Sequence, residues 1–163
     1  MVIREVSAGD WETMRDVRLA ALREAPHAFA STYAREAAFT PEQWLARIGP
    51  RSVTYLAYLP EHAGHDTADP AGIAGVYEAD DAPQLVSVWV SPSARGRKAG
   101  EALITACADW ARARGHAELF LWVTESNASA RRLYERCGFI PTGERQPLPS
   151  DPSLPEIRMR RVL

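Results

Sequence analysis

An α+β fold is what this chain predicts: one domain over residues 1–163, built on a mixed, mostly antiparallel sheet of six to seven strands with helices on its flanks. Three patterns predict it. The chain opens as a strand followed by a helix. Three valine-bearing segments succeed one another between residues 52 and 90, separated by turn-forming stretches. The second half then alternates strand, helix, strand, helix, strand.

Val2 and Ile3 begin the first strand, and Ser7 or Asp10 can cap a helix in which Trp11, Met14, Val17, Ala21 and Leu22 recur at helical spacing. Pro26 interrupts that pattern. A second helical stretch is expected from His27 to about Ala37. Thr40-Pro41-Glu42-Gln43 then starts a third as a capping box, with Trp44, Leu45 and Ile48 on its apolar face. Ser52 to Leu59, Ala71 to Tyr77 and Leu85 to Val90 read as an antiparallel meander, joined by an exposed connection over 60–70 and a turn over Glu78 to Pro83. From Arg97 to Arg114, Ala99, Ala102, Leu103, Ala106, Cys107, Trp110 and Ala111 repeat at three- and four-residue steps, and Gly115 stops the helix. Glu118 to Val123 is an apolar strand. Asn127 caps a helix reaching Arg136, and Gly138 ends it before a strand that starts at Phe139. The tail reads as a proline-rich loop, Gln146 to Pro155, and a last alternating run, Ile157 to Val162, at the edge of the sheet.

Composition narrows the function classes. Apolar residues make up 46% of the 163, enough for a sizeable core. Nineteen basic residues against twenty-one acidic ones give a formal charge of −2, so nothing points to nucleic acid or a membrane surface as the main partner. Cys107 and Cys137 lack the spacing of a zinc site and are too few for a disulfide framework, which fits free thiols in a reducing, cytoplasmic compartment. No apolar run approaches a membrane span or a signal peptide.

Chemistry concentrates at the junction between the strand ending at Val90 and the helix that follows. Unpaired backbone N–H groups and the helix dipole favour an anion there. Gly96 and Gly100 allow close approach, Arg95, Arg97 and Lys98 add positive charge, and Pro92 fixes the entry. The same residues also serve as a plain strand-to-helix turn with solvated basic side chains. A P-loop and a three-glycine dinucleotide fingerprint are both absent.

Val88-Trp89-Val90-Ser91-Pro92, followed by Arg95-Gly96-Arg97-Lys98-Ala99-Gly100, resembles the acetyl-CoA signature of the GNAT superfamily of N-acetyltransferases, Gln/Arg-x-x-Gly-x-Gly/Ala. Arg95 and Gly100 match its ends, whereas Lys98 stands where glycine is usual, a substitution that backbone binding tolerates if φ at Lys98 stays negative. A second match covers Asn127, Ala130, Leu133, Tyr134, Gly138 and Phe139, similar to Asn-x-x-Ala-x-x-Leu-Tyr-x-x-x-Gly-Phe. The resemblance implies a GNAT-like fold and acetyl-CoA as co-substrate, held by Val88, Trp89, Val90, the 95–100 turn, Asn127 and Ala130. It further implies that Tyr134 protonates the departing thiolate as an amine attacks the thioester. By themselves, Asn127 is an N-cap and Tyr134 a half-buried helix aromatic.

The acceptor is expected to be a small-molecule or peptide amine, and the resemblance leaves room for a homodimer. A general base is not evident, because Gln84 occupies the strand position where some members carry Glu, and Glu78, Asp80 and Asp81 read as a solvated turn. His62, His65 and Asp66 suggest a metal only loosely, and no metal site is expected. Phe29, Trp44, the Glu78 to Pro83 turn and the proline-rich tail are expected to shape the acceptor cleft. The competing class is a non-catalytic acyl-CoA-binding or regulatory module, motivated by Lys98 and the missing base.

Overall fold

The computed structural model describes residues 1–62 and 69–163, the side chain of His62 excepted; His65 and Asp66 lie outside the described residues. Seven strands form one sheet in the order β1-β2-β3-β4-β5-β7-β6: β1 Val2–Glu5, β2 Ser52–Tyr58, β3 Gly72–Glu78, β4 Pro83–Val90, β5 Glu118–Thr124, β6 Ile140–Leu148 and β7 Asp151–Val162. All neighbours are antiparallel except β4 and β5. The meander expected from residues 52–90 is present, and β1 extends it at one edge.

Helices cover both faces, as apolar strands in a mixed sheet require. On one side lie α1 (Trp11–Glu24), α2 (Tyr33–Ala37) and α3 (Pro41–Leu45), whose Met14, Val17 and Trp44 bury against Leu56 and Ile73. On the other, α4 (Ala99–Ala113) sinks Leu103, Ile104, Cys107 and Ala111 among Ala57, Ala74, Leu85, Leu119 and Leu121, and α5 (Ala128–Arg136) contributes Tyr134. The Thr40 capping box forms as read: its hydroxyl accepts from the Gln43 N–H at 3.2 Å, while the Gln43 side chain accepts from the Thr40 N–H at 2.9 Å. Among the described residues no helix is long and apolar enough to cross a membrane.

Three expectations are corrected. Residues 27–37 are not one helix, because the chain is drawn sideways there: the carbonyl of His27 accepts from Thr124 Oγ1 and that of Phe29 from Ser150 Oγ, each at 2.6 Å. A fresh N-cap at Thr32 is then needed to start α2. The proline-rich tail is not a loop, since β6 runs on to Leu148 and β7 starts at Asp151. Its prolines are tolerated because β6 is the sheet edge and because Pro152 and Pro155 lie beyond the stretch of β7 that pairs with β5. Finally, Ile157 to Val162 does not close the edge. It inserts between β5 and β6, pairing with both, and β6 is the edge strand. Arg158 and Arg160 therefore line an interior strand, paired with Asp81, Glu144 and Glu118.

Two irregularities position the site. Against β3, the register of β4 advances by three residues (Trp89 to Val86) while β3 advances by two (Ile73 to Gly75), and the bulge holds Ser87 at φ 60°. On its other side β4 pairs with β5 only at Gln84↔Phe120, so Val88 to Val90 have no ladder partner in β5.

Candidate acyl-CoA site

Where β4 leaves β5, a cavity of about 760 Å³ opens, floored by Val88, Trp89 and Val90 and walled by the start of α4 and by α5. Arg95, Gly96, Lys98, Ala99, Gly100, Asn127, Ala130 and Tyr134 all line it. Of the residues assigned from sequence to this site, Arg97 alone does not; its Nη1 is held by Glu61 at 2.7 Å.

The turn presents its backbone N–H groups rather than side-chain charge. The N–H groups of residues 96–101 meet no acceptor among the described residues, and they open the fifteen-residue helix α4, whose dipole adds partial positive charge. Its side-chain charge is smaller than the sequence suggests. Arg95 gives Nη2 to Glu24 at 2.8 Å and Nε to the Val90 carbonyl, and Trp89 Nε1 donates to the same Glu24 carboxylate at 2.9 Å. Those bonds hold the Glu24 carboxyl below its ordinary range, Trp89 first.

Lys98 departs from expectation. Its φ is +63°, left-handed, so the condition of a negative φ is not met, and the next residue begins α4. The chain must reverse hand between Gly96 (φ 77°) and the helix, and a lysine there carries strain of about 1–2 kcal/mol that a glycine would not. Gly100 also has a different task from ligand approach: a Cβ there would sit 2.9 Å from Leu133 Cδ2, so the missing side chain lets α5 close against α4.

On α5, Asn127 caps the helix, Oδ1 accepting from the Ala130 N–H at 3.2 Å, which leaves its amide N–H free. Tyr134 is buried, stacked edge to face on Phe139 at 6.0 Å, with its hydroxyl pushed up by burial. Tyr134 lines the cavity, and among the described residues no hydrogen bond engages its hydroxyl. Of the lining carboxylates, Glu24 is engaged as above and Glu101 pairs with Arg136 at 3.3 Å.

A strand that leaves its parallel neighbour, a bare helix N-terminus and a phenol on the facing helix thus border one cavity. The model of the acetyltransferase (GNAT) family matches residues 14–139. The chain belongs to that family. Within it, mycothiol acetyltransferase of Beutenbergia cavernae is 33% identical over 130 residues, 71% of this chain, but the match spans only 41% of that protein's length. A GCN5-related N-acetyltransferase from Kribbella flavida superposes with a TM-score of 0.74 at 25% identity, over 99% of this GNAT chain and 97% of its own. The putative acetyltransferase of Salmonella typhimurium solved with its cofactor acetyl-CoA shares the fold, with a TM-score of 0.77 at 19% identity, over 100% of this chain and 94% of its own.

Gln84 is buried and bonded to the Ala82 carbonyl at 3.5 Å. Glu78 is no free base: Arg114 and His116 bond its carboxylate at 2.7 and 2.8 Å and hold its pKa at about 2. The Glu78 to Pro83 turn sits at the start of β4, away from the bulge, beside Arg51 and His116. Burial pushes both cysteine thiols up, which leaves Cys107 and Cys137 poor nucleophiles.

Two groups escaped the sequence reading. Glu156, 4% exposed and paired across the ladder with Thr124, receives among the described residues one hydrogen bond, from Gln146 Nε2 at 2.6 Å, and no cation. Glu36 is fully buried between Arg18 and Arg47. No spacing in the sequence marks either as buried, since each sits where a solvated glutamate would fit the pattern equally well.

Proposed function

We propose that this chain transfers an acetyl group from acetyl-CoA to a primary amine by direct attack, with Tyr134 serving the departing sulfur. The observation that carries the reading is one cavity lined both by Gly96 and Lys98 to Glu101, whose backbone N–H groups open α4, and by Tyr134, whose hydroxyl no hydrogen bond engages among the described residues. Acetyl-CoA supplies the activated acyl group as a thioester. The backbone N–H groups suit its pyrophosphate, and Asn127, with its amide N–H free while Oδ1 caps α5, suits the amides of the pantetheine arm.

Tyr134 stays protonated because burial lifts its pKa above the ordinary value of about 10. Complete transfer to a thiolate, whose parent thiol titrates near 8.5, is uphill, so Tyr134 acts mainly as a hydrogen-bond donor to sulfur as the C–S bond breaks. The C–N bond forms from a neutral amine. The amine must arrive deprotonated or lose its proton to water, because the lining carboxylates Glu24 and Glu101 are both ion-paired.

The test is CoA thiol release across amines, amino acids, polyamines and peptides. Tyr134→Phe is expected to lower kcat by about 10²-fold with KM unchanged. Equal turnover removes Tyr134 from the reaction. Tight acetyl-CoA binding without acceptor-dependent release supports the binding-module reading instead.

A further inference from the structure

A second cavity, of about 380 Å³, lies on the α1–α3 face of the sheet. Val86 and Ser87 line it, while the next residues of the same strand, Val88 and Trp89, line the donor cavity, so the two spaces flank consecutive residues of β4 at its bulge.

Its charge is one-sided. Among the described residues only two charged side chains line the cavity, Arg18 and Arg47. Arg18 is spent: Nε and Nη2 grip Glu36 at 3.0 and 2.9 Å, and Nη1 donates to Ser87 Oγ at 3.3 Å. Arg47 gives only Nη1 to Glu36, at 2.8 Å, and remains 36% exposed, its guanidinium stacked against Trp44 at 5.0 Å. Burial pushes the Glu36 carboxyl up, but the hydrogen bonds and charge of Arg18 and the charge of Arg47 outweigh it, so Glu36 stays ionised. Two cations and one anion leave a net positive charge facing a wall that is otherwise mostly apolar, including Met14 and Trp44.

We infer that this cavity is the acceptor pocket and that it selects a small amine carrying a carboxylate on an apolar body, such as an amino acid with an apolar side chain, with Arg47 as the carboxylate ligand. The inference rests on the acetyl-transfer reading above. Planar guanidinium donors suit a carboxylate, and a volume of this size suits a small ligand. The same positive charge disfavours a ligand that brings an ammonium without a carboxylate. Polyamines and other polycations are repelled.

The experiment measures binding and acetylation of L-phenylalanine and L-methionine against their amides and against putrescine, with acetyl-CoA affinity as a separate control. The free acids are expected to bind at least tenfold tighter than the amides, and Arg47→Gln to erase that difference, with partial recovery in Arg47→Lys. Glu36 keeps its two bonds from Arg18 in either variant, so the fold has a local anchor. Amides or putrescine binding as well as the acids, or a preference untouched by Arg47→Gln, overturns the inference whether or not either is acetylated. Acids that bind through Arg47 while no acceptor is acetylated overturn the acetyl-transfer reading alone.

Discussion

Glu156 is a carboxylate at 4% exposure whose one partner among the described residues is a neutral amide, whereas Glu36, fully buried, has two arginines. Their pKa shifts run in opposite directions for that reason. Burial raises Glu156, against a smaller lowering by the Gln146 bond. Its protonated form is therefore favoured by folding: the stability it contributes is present at low pH and is lost as pH rises from the unfolded value near 4.3 through the raised folded value. At neutral pH the charged form is a burden. Glu156→Gln, which cannot ionise, is expected to raise Tm by about 2–4 °C at pH 7 and to change it little at pH 4, for roughly 1 kcal/mol in a domain of this size. Thermal melts at the two pH values decide it, and an equal shift at both would attribute the gain to packing instead.

At the scale of elements, α4 and α5 meet at Gly100 and Leu133, and that contact sets the distance between the amide cradle and Tyr134. Gly100→Leu is expected to push α5 outward and weaken acetyl-CoA binding by at least tenfold. Gly100→Ala meets only the mobile end of Leu133 and should cost far less. Adding Leu133→Ala to Gly100→Leu should recover part of the loss, a coupling that calorimetric titration of the four proteins measures. Much of this region was legible in the sequence, because the helical repeat from Ala99 to Ala111, the Asn127 cap and the two glycine stops at 115 and 138 are local signals. The left-handed Lys98 and the bulge at Ser87 were not, because each is imposed by how whole elements pack: helix α4 must leave the turn at the angle that seats it on the sheet, and β4 must keep register with β3. The tail was misread for the same reason. Its prolines signal a loop locally, and only the sheet order shows that their missing N–H groups go unneeded.

Across the whole molecule, the sheet is completed out of chain order. β5 lies between β4 and β7, and β6 reaches the sheet only through β7. Glu118↔Val162 and Thr124↔Glu156 close loops that enclose all of α5 and β6. Such distant pairings form late, after the local contacts of the meander and helices. A chain halted after Ser150 keeps β1 to β4, α4 and α5 yet leaves β5 with a bare edge and β6 with no neighbour. It should be cleaved rapidly by protease in pulse proteolysis, whereas one halted after Val162 should resist. Protein synthesis therefore exposes an unfinished strand edge, with Leu119 and Leu121 uncovered, for as long as the ribosome needs to pass from Glu118 to Val162, and it is in that interval that the nascent chain is most open to capture by chaperones or to pairing with a neighbouring copy.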